Sequence, residues 1–243
     1  MEDLKKFISI MSKEAGYVIA ILAFVAALFI IAIISERVLE KDDMMKIAKT
    51  KKITLIGIFV AVAGALMYFE FPMPFAPSFY GIDLSEVPVM ISGFMLGPVA
   101  GVATEFVKII VKLAIKPTST AFIGEFANFI VGCTFVIPAS IIYKVKKNKK
   151  MATIGLATGT VTMIVVGCFV NAFILLPAFA RFYGGMPMSA LIAMGTEVNA
   201  NITNMFTFII LAVAPLNLIK GLLITIVVTL VYKKISKLIK TII

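Results

Sequence analysis

Several long apolar runs divide the sequence, and each approaches the length needed to cross a membrane. They cover roughly residues 16–35, 53–69, 121–143, 152–176 and 215–232. A helix needs about 20 apolar residues to span the hydrocarbon core of a bilayer. The chain is also 61% hydrophobic, against about 45–50% apolar residues in soluble domains. These runs predict an all-α, multi-pass protein of the cell membrane.

Most of the 23 lysine and arginine residues lie in three short groups beside the apolar runs, so the net charge of +10 belongs to short loops. Such an excess marks the cytoplasmic side of a membrane protein, and we prefer this interpretation to a nucleic-acid surface. The groups are Arg37, Lys41, Lys46, Lys49, Lys51 and Lys52; Lys144, Lys146, Lys147, Lys149 and Lys150; and Lys233, Lys234, Lys237 and Lys240.

Placing all three groups inside the cell predicts a core of six helices preceded by one extra helix. The run 16–35 lacks the basic start and short apolar core of a secretory signal, so we expect a retained transmembrane helix. Residues 1–45 would hold this helix and a basic linker, and residues 46–243 would form the six-helix membrane domain. The core helices are predicted at 53–69, 83–96, 99–115, 121–143, 152–176 and 215–232.

Prolines set two of the expected boundaries. The fifth core helix is expected to end at Pro177 and to be followed by a long structured loop over 178–204. Residues 205–214 either continue into the last helix or form a separate apolar segment. Because proline favours the first helical turn, we prefer a last helix that starts at Pro215.

The residue types present argue against catalysis and against a resident cofactor. The chain has no histidine and no G-x-x-x-x-G-K-[ST] phosphate loop, so the usual general base and one route to ATP hydrolysis are absent. Asp83 and Glu86 match a D-x-x-E capping box, which would engage both carboxylates. Cys133 and Cys168 lie in apolar runs and predict neither a disulfide nor a metal site. We therefore expect a protein that is not an enzyme.

Polar side chains inside the apolar runs concentrate in the half predicted to face outward. Asn217 and Lys220 share a helix face, as do Glu125 and Asn128, and Asn171 lies near the outer end of its helix. Polar residues at membrane depth usually face a cavity, and their convergence predicts a small-molecule pocket. For any one asparagine, a hydrogen bond between two helices is an equal alternative.

Three charged residues, Glu105, Lys108 and Lys112, lie along the helix predicted at 99–115, and Lys116 follows directly after it. We interpret Glu105 and Lys108 as a structural ion pair. We expect Lys112 and Lys116 to extend towards the outer lipid headgroups. The basic stripe of Lys108, Lys112 and Lys116 leaves a phosphorylated ligand as an alternative.

Small residues repeat at every fourth position of the first core helix, at Gly57, Ala61 and Ala65. Such stripes let helix backbones approach closely in lipid, where no hydrophobic force draws helices together. The stripe indicates either packing within the bundle or docking of a separate membrane protein.

An ordered set of short motifs over about residues 53–235 resembles the substrate-binding S components of energy-coupling factor (ECF) transporters, in particular those of the riboflavin type. The motifs are FPMPFAPSFYGIDLSEVP after the first core helix, LGPVAG, EFVK at 105–108, GEFANFIVG at 124–132, NAFILLPAF at 171–179 and PLNLIKG at 215–221. The helix at 16–35 is additional to the six helices usual in that family.

The resemblance implies a vitamin pocket near the outer face, which binds riboflavin or the flavin phosphate FMN as transported ligand. It also implies docking through Ala61 and Ala65 on a transmembrane T subunit that works with two ATPase subunits. The asparagine amides would read the pyrimidine edge of the flavin, Lys220 would donate to an oxygen, and Phe75 would pack on the ring. The ligand-binding residues expected on this basis are Pro74, Phe75, Ala76, Glu125, Asn128, Asn171, Asn217 and Lys220.

Three alternatives stay open from the sequence. The first is an S component for another vitamin or for a flavin phosphate. The second is a stand-alone secondary transporter, which would usually show inverted repeats that this sequence lacks. The third is an intramembrane enzyme, whose acid–base groups are hard to assemble here.

Overall fold

A computed structural model describes residues 15–40, 48–118, 120, 122–182 and 186–242 as a helical bundle with one small hairpin. The helices are α1 (Ala15–Glu40), α2 (Lys49–Tyr68), α3 (Glu86–Leu96), α4 (Pro98–Ile115), α5 (Ile123–Val145), α6 (Lys149–Val170), α7 (Leu176–Phe182), α8 (Met188–Val198), α9 (Met205–Phe208) and α10 (Ala214–Ile242). The hairpin pairs β1 (Phe71–Pro72) antiparallel with β2 (Gly81–Ile82).

Five stretches of the described chain are long and apolar enough to cross a membrane, as the sequence predicted. They are Leu22–Leu39, Lys49–Tyr68, Ile123–Val145, Lys149–Arg181 and Met205–Tyr232. Helix α4 has a comparable length but carries Glu105, Lys108 and Lys112, all of which are buried inside the bundle. The second of the predicted core helices corresponds to α3, which is short and almost entirely buried.

Helix α1 packs on α4 and α5, where the Phe29 ring lies 6.0 Å from that of Phe106 and 6.2 Å from that of Phe129. At its other end the buried Glu36 accepts hydrogen bonds from Lys52 Nζ of α2 at 2.6 Å and from the backbone N–H of Val99 at 2.9 Å. One carboxylate thus ties α1 to two core helices. Lys41, Lys46 and the expected boundary at residues 45 and 46 lie outside the described residues.

The expected ends at Pro177 and Pro215 are wrong, because the helical path runs through both prolines. A five-residue π-helical segment, Asn171–Leu175, joins α6 to α7, and a second, Ile209–Val213, joins α9 to α10. A proline ring crowds the carbonyl four residues before it. Here that carbonyl falls inside the wider π turn, which makes room for the ring.

The expected capping box at the start of α3 is also wrong. Asp83 Oδ1 accepts a hydrogen bond from the backbone N–H of Ser85 at 2.6 Å, ahead of the helix. The carboxylate of Glu86 turns inward and pairs with Lys108 and Lys220. Two buried ammonium groups need counter-charges more than one helix end needs a cap, because isolated charges in an apolar interior cost several kcal/mol each.

The region expected as a long structured loop over 178–204 holds the end of α7 and all of α8. Gly184 and Gly185, which helped to predict the loop, lie outside the described residues. Helix α8 closes against the following turn, where Thr196 Oγ1 donates to the carbonyl of Ile202. The connection is therefore helical and packed against the start of α9.

Candidate functional site

A cavity of about 100 Å³ lies between the hairpin, α5, the first π-helical segment, α7 and the start of α10. It continues into an outer cavity of about 240 Å³ that shares several of its lining residues. The inner cavity is lined by Glu70, Phe79, Tyr80, Gly81, Thr120, Ile123, Gly124, Ala127, Asn128, Val131, Asn171, Leu175, Leu176, Phe179, Leu216, Asn217 and Lys220. Four of the residues expected at the site therefore meet here: Asn128, Asn171, Asn217 and Lys220.

Asn171 opens the first π-helical segment, and its amide is held in one orientation. The Tyr80 hydroxyl donates to Asn171 Oδ1 at 2.6 Å, and Asn171 Nδ2 donates to the carbonyl of Gly167 at 2.8 Å. Burial raises the pKa of the Tyr80 phenol, so its O–H stays protonated and can donate. One N–H and one lone pair of the amide remain for a ligand.

Asn217 lies one turn into α10, opposite Gly167 of α6. A Cβ atom at residue 167 would lie only 2.7 Å from Asn217 Nδ2, so the glycine leaves the space that the amide occupies. Within the described part of the chain this amide makes no hydrogen bond, although it is buried. A ligand or water in the cavity is the remaining partner for its donors and acceptor.

Lys220 follows Asn217 by three residues and lines the same cavity from α10. Its Nζ lies 2.8 Å from Glu86 Oε1 and 3.6 Å from Asp83 Oδ2, and all three side chains are buried. The ammonium is therefore fully charge-balanced by the protein. It offers a hydrogen-bond donor to the cavity without leaving an uncompensated charge there.

Asn128 lies between the two cavities, and its Oδ1 is a buried acceptor with no hydrogen-bond partner among the described residues. Glu125, one turn earlier on α5, lines only the outer cavity. Its carboxylate accepts from Lys112 Nζ and from the hydroxyls of Thr118 and Thr120. The structure thus gives Asn128 an open acceptor and gives Glu125 a full set of donors.

Two expectations about the charged stripe on α4 have different outcomes. Glu105 and Lys108 form the expected ion pair, with Oε2 and Nζ 2.8 Å apart. Lys112 does not extend towards headgroups, because it is buried against Glu125. Lys116 is exposed and lines the outer cavity.

Neither of the two cavities is lined by Pro74, Phe75 or Ala76. Pro74 is exposed and Ala76 is buried within the loop. The aromatic wall comes instead from Phe79, whose ring lies 4.8 Å from that of Phe179 and 4.7 Å from that of Tyr80.

Glu70 is a further residue that the sequence did not single out. It precedes β1, lines both cavities and lies against Gly81, where an added Cβ would collide with its side chain. Loss of solvation, and then the nearby charge of Asp83, raise the pKa of the Glu70 carboxyl. The only sequence signal was its place at the end of an apolar helix.

The site can hold a flat ligand with a polar edge, because aromatic rings lie beside a group of amides and one ammonium. Within the described residues, no group of three or more His, Cys, Asp or Glu side chains is placed to hold a metal ion. Away from the cavity, Gly57, Ala61 and Ala65 are exposed along α2, and nothing lies within 4 Å of a Cβ built at Gly57.

Comparisons with known proteins identify the family to which this chain is similar. Residues 51–232 match the family model described as "ECF transporter, substrate-specific component". The riboflavin transporter RibU of Staphylococcus aureus is 32% identical over 82% of this chain and 97% of its own. The riboflavin transporter FmnP of Bacillus subtilis is 29% identical over 77% and 93%, respectively.

A solved structure gives the same result at the level of the fold. It is described as the S component of a bacterial ECF transporter, is 32% identical and superposes with a TM-score of 0.61. The similarity covers 79% of this chain and 99% of the other. Helix α1 precedes the residues that the family model matches.

Proposed function

The chain belongs to the family of substrate-specific components of ECF transporters and is a membrane protein, and from this premise we propose that it binds riboflavin for uptake into the cell. The observation that carries the proposal is the convergence of Asn171, Asn217 and Lys220 beside an aromatic wall in one cavity. The names of its similar relatives, which are riboflavin transporters, support the choice of ligand.

The chemistry of riboflavin fits the residues of the inner cavity. Its isoalloxazine ring system is flat, with an apolar xylene edge and a pyrimidine edge of alternating donors and acceptors. Asparagine amides offer both functions in one group, and lysine offers donors only. Asn171 and Asn217 bind the pyrimidine edge in this proposal, Lys220 donates to a flavin oxygen, and Phe79 packs on the ring face.

The roles of the other expected residues follow from their positions. Asn128, with its open acceptor, binds a hydroxyl of the ribityl chain where the two cavities meet. Glu125 supports the outer cavity through Lys112. Pro74, Phe75 and Ala76 shape the loop that carries Phe79. FMN is a second candidate ligand, because Lys112 and Lys116 line the outer cavity and offer positive charge to its phosphate group.

Import requires partner subunits, and we propose that the exposed small-residue stripe on α2 is the docking surface for one of them. Gly57, Ala61 and Ala65 remain uncovered although α1 is present, because α1 packs on α4 and α5. A T subunit docks on this stripe in our proposal, and two ATPase subunits supply the energy. Residues 46–243 form the vitamin-binding domain, and the chain itself catalyses no reaction.

Titration of the purified, detergent-solubilised protein with riboflavin tests the ligand. We expect binding by the wild type, and we expect Asn217→Ala to weaken it by about 1–3 kcal/mol, the cost of leaving a buried polar partner unpaired. Asn201→Ala, an exposed asparagine outside the cavity, is the control and should bind normally. A wild-type protein with no affinity for riboflavin would overturn the proposal.

A further inference from the structure

Five buried charged side chains form one connected cluster behind the wall of the cavity. Lys220 pairs with Asp83 and Glu86, and Glu86 also reaches Lys108, with its Oε2 2.6 Å from Lys108 Nζ. Lys108 in turn pairs with Glu105 at 2.8 Å. Only Lys220 of these five lines the inner cavity.

The cluster supplies the counter-charge that the Lys220 ammonium needs and that the proposed ligand does not carry. Riboflavin carries no net charge near neutral pH, so it brings no counter-ion for the ammonium that contacts it. A buried ammonium without a partner is costly. The counter-charge of Lys220 must therefore come from the protein, and Glu86 and Asp83 are the carboxylates within ion-pair distance.

The geometry also restricts where the ammonium can lie. Glu86 is held from both sides, because Lys108 binds one oxygen of its carboxylate and Lys220 lies beside the other. Lys108 is itself fixed by a hydrogen bond of 2.9 Å to Ser85 Oγ. A flexible lysine side chain thereby acquires a defined position for its head group.

We propose that Glu86 and Asp83 are positioning residues for riboflavin binding, which hold the Lys220 ammonium against the cavity wall in the orientation that the ligand uses. This inference rests on the proposed function. It assigns to the start of α3 a role in affinity, although neither carboxylate lines the inner cavity.

Glu105 provides a matched control within the same cluster. It is as deeply buried as Glu86 and binds the same Lys108, but no ion pair joins it to Lys220 in the part of the chain that the structure describes. Glu105→Gln and Glu86→Gln therefore make the same carboxyl-to-amide replacement, at the same depth, beside the same Lys108. They differ in whether the lost carboxylate touches Lys220.

The experiment measures riboflavin affinity by calorimetric titration of full-length Glu86→Gln, Glu105→Gln and Lys220→Met, and of the double variant Glu86→Gln/Lys220→Met. Glu86→Gln should weaken binding by about tenfold or more. Glu105→Gln should bind within about twofold of wild type, and Glu86→Gln should add less than about twofold once Lys220 is absent. Thermal unfolding of each variant without ligand shows whether a loss of affinity comes with a loss of stability of the fold.

Either of two results would overturn the inference: equal losses in the two glutamine variants, or an undiminished effect of Glu86→Gln in the Lys220→Met background. If Glu86→Gln does not fold, Asp83→Asn takes its place in the same comparison with the same expected direction. A wild-type protein that does not bind riboflavin defeats the proposed function itself. A wild type that binds, with Glu86→Gln unchanged, defeats only the positioning role.

Discussion

Replacing Gly167 by alanine should lower riboflavin affinity while leaving the bundle folded. The added Cβ would lie 2.7 Å from Asn217 Nδ2, well inside ordinary van der Waals contact. The colliding atom is the end of a side chain and not backbone, so the amide can turn away at little cost to the fold. Its hydrogen bonds to the ligand are then lost, which corresponds to about 1–3 kcal/mol of binding free energy.

Gly155→Ala is a matched control in the same helix. Its Cβ would also meet an atom at 2.7 Å, but that atom is the backbone carbonyl oxygen of Ala139, away from the cavity. We expect this variant to unfold at a lower temperature and to bind riboflavin with the wild-type affinity. The two glycines should therefore separate binding from stability.

Calorimetric titration and thermal unfolding of both variants, each without the energising partners, check this prediction. The reasoning fails if Gly167→Ala binds riboflavin as tightly as the wild type. It also fails if Gly155→Ala loses as much affinity as Gly167→Ala, because crowding anywhere along α6 would then explain the effect.

Three further predictions follow from single contacts. Tyr80→Phe removes the donor to Asn171 Oδ1 and should weaken riboflavin binding by about 0.5–1.5 kcal/mol; normal affinity in a titration would contradict the role of this hydrogen bond. Ala61→Leu should abolish copurification with the T subunit but keep riboflavin binding, whereas Val165→Leu, exposed on α6, should leave both intact. Glu36→Gln weakens the contacts of α1 with Lys52 and Val99 and should lower the melting temperature with unchanged riboflavin affinity; an unchanged melting temperature would mean that α1 is held by its apolar contacts alone.

The sequence predicted the helical bundle well because length and apolar composition leave few alternatives for such runs in lipid. It failed where backbone geometry decides between two acceptable outcomes. Pro177 and Pro215 are ordinary helix-boundary signals, and nothing in the sequence marks the π turns that let the helices pass through them.

The candidate site, like the fold, could be predicted from the sequence only in part. Asn171, Asn217 and Lys220 could be predicted because polar groups at membrane depth usually face a cavity. The aromatic partner could not be predicted, since Phe75 and Phe79 lie in one loop and only the fold of its turn decides which ring faces the cavity. Long-range pairs, such as the contact of Glu86 with Lys220, are likewise settled only in three dimensions.

The two prolines that misled the sequence interpretation also explain how the cavity is built. Each follows a π-helical segment, the two segments contact each other, and Asn171 and Leu175 of the first segment line the inner cavity. In an unbroken α-helix, successive side chains are rotated by about 100° around the helix axis. A π turn changes this rotation locally, so all the side chains after it face a different direction than they would in a regular helix. The shift after Asn171 sets which residues of α7 face the cavity, and the shift before α10 does the same for Asn217 and Lys220. One binding amide thus lies in the irregular backbone of its helix, and Asn217 follows the other irregular segment by four residues.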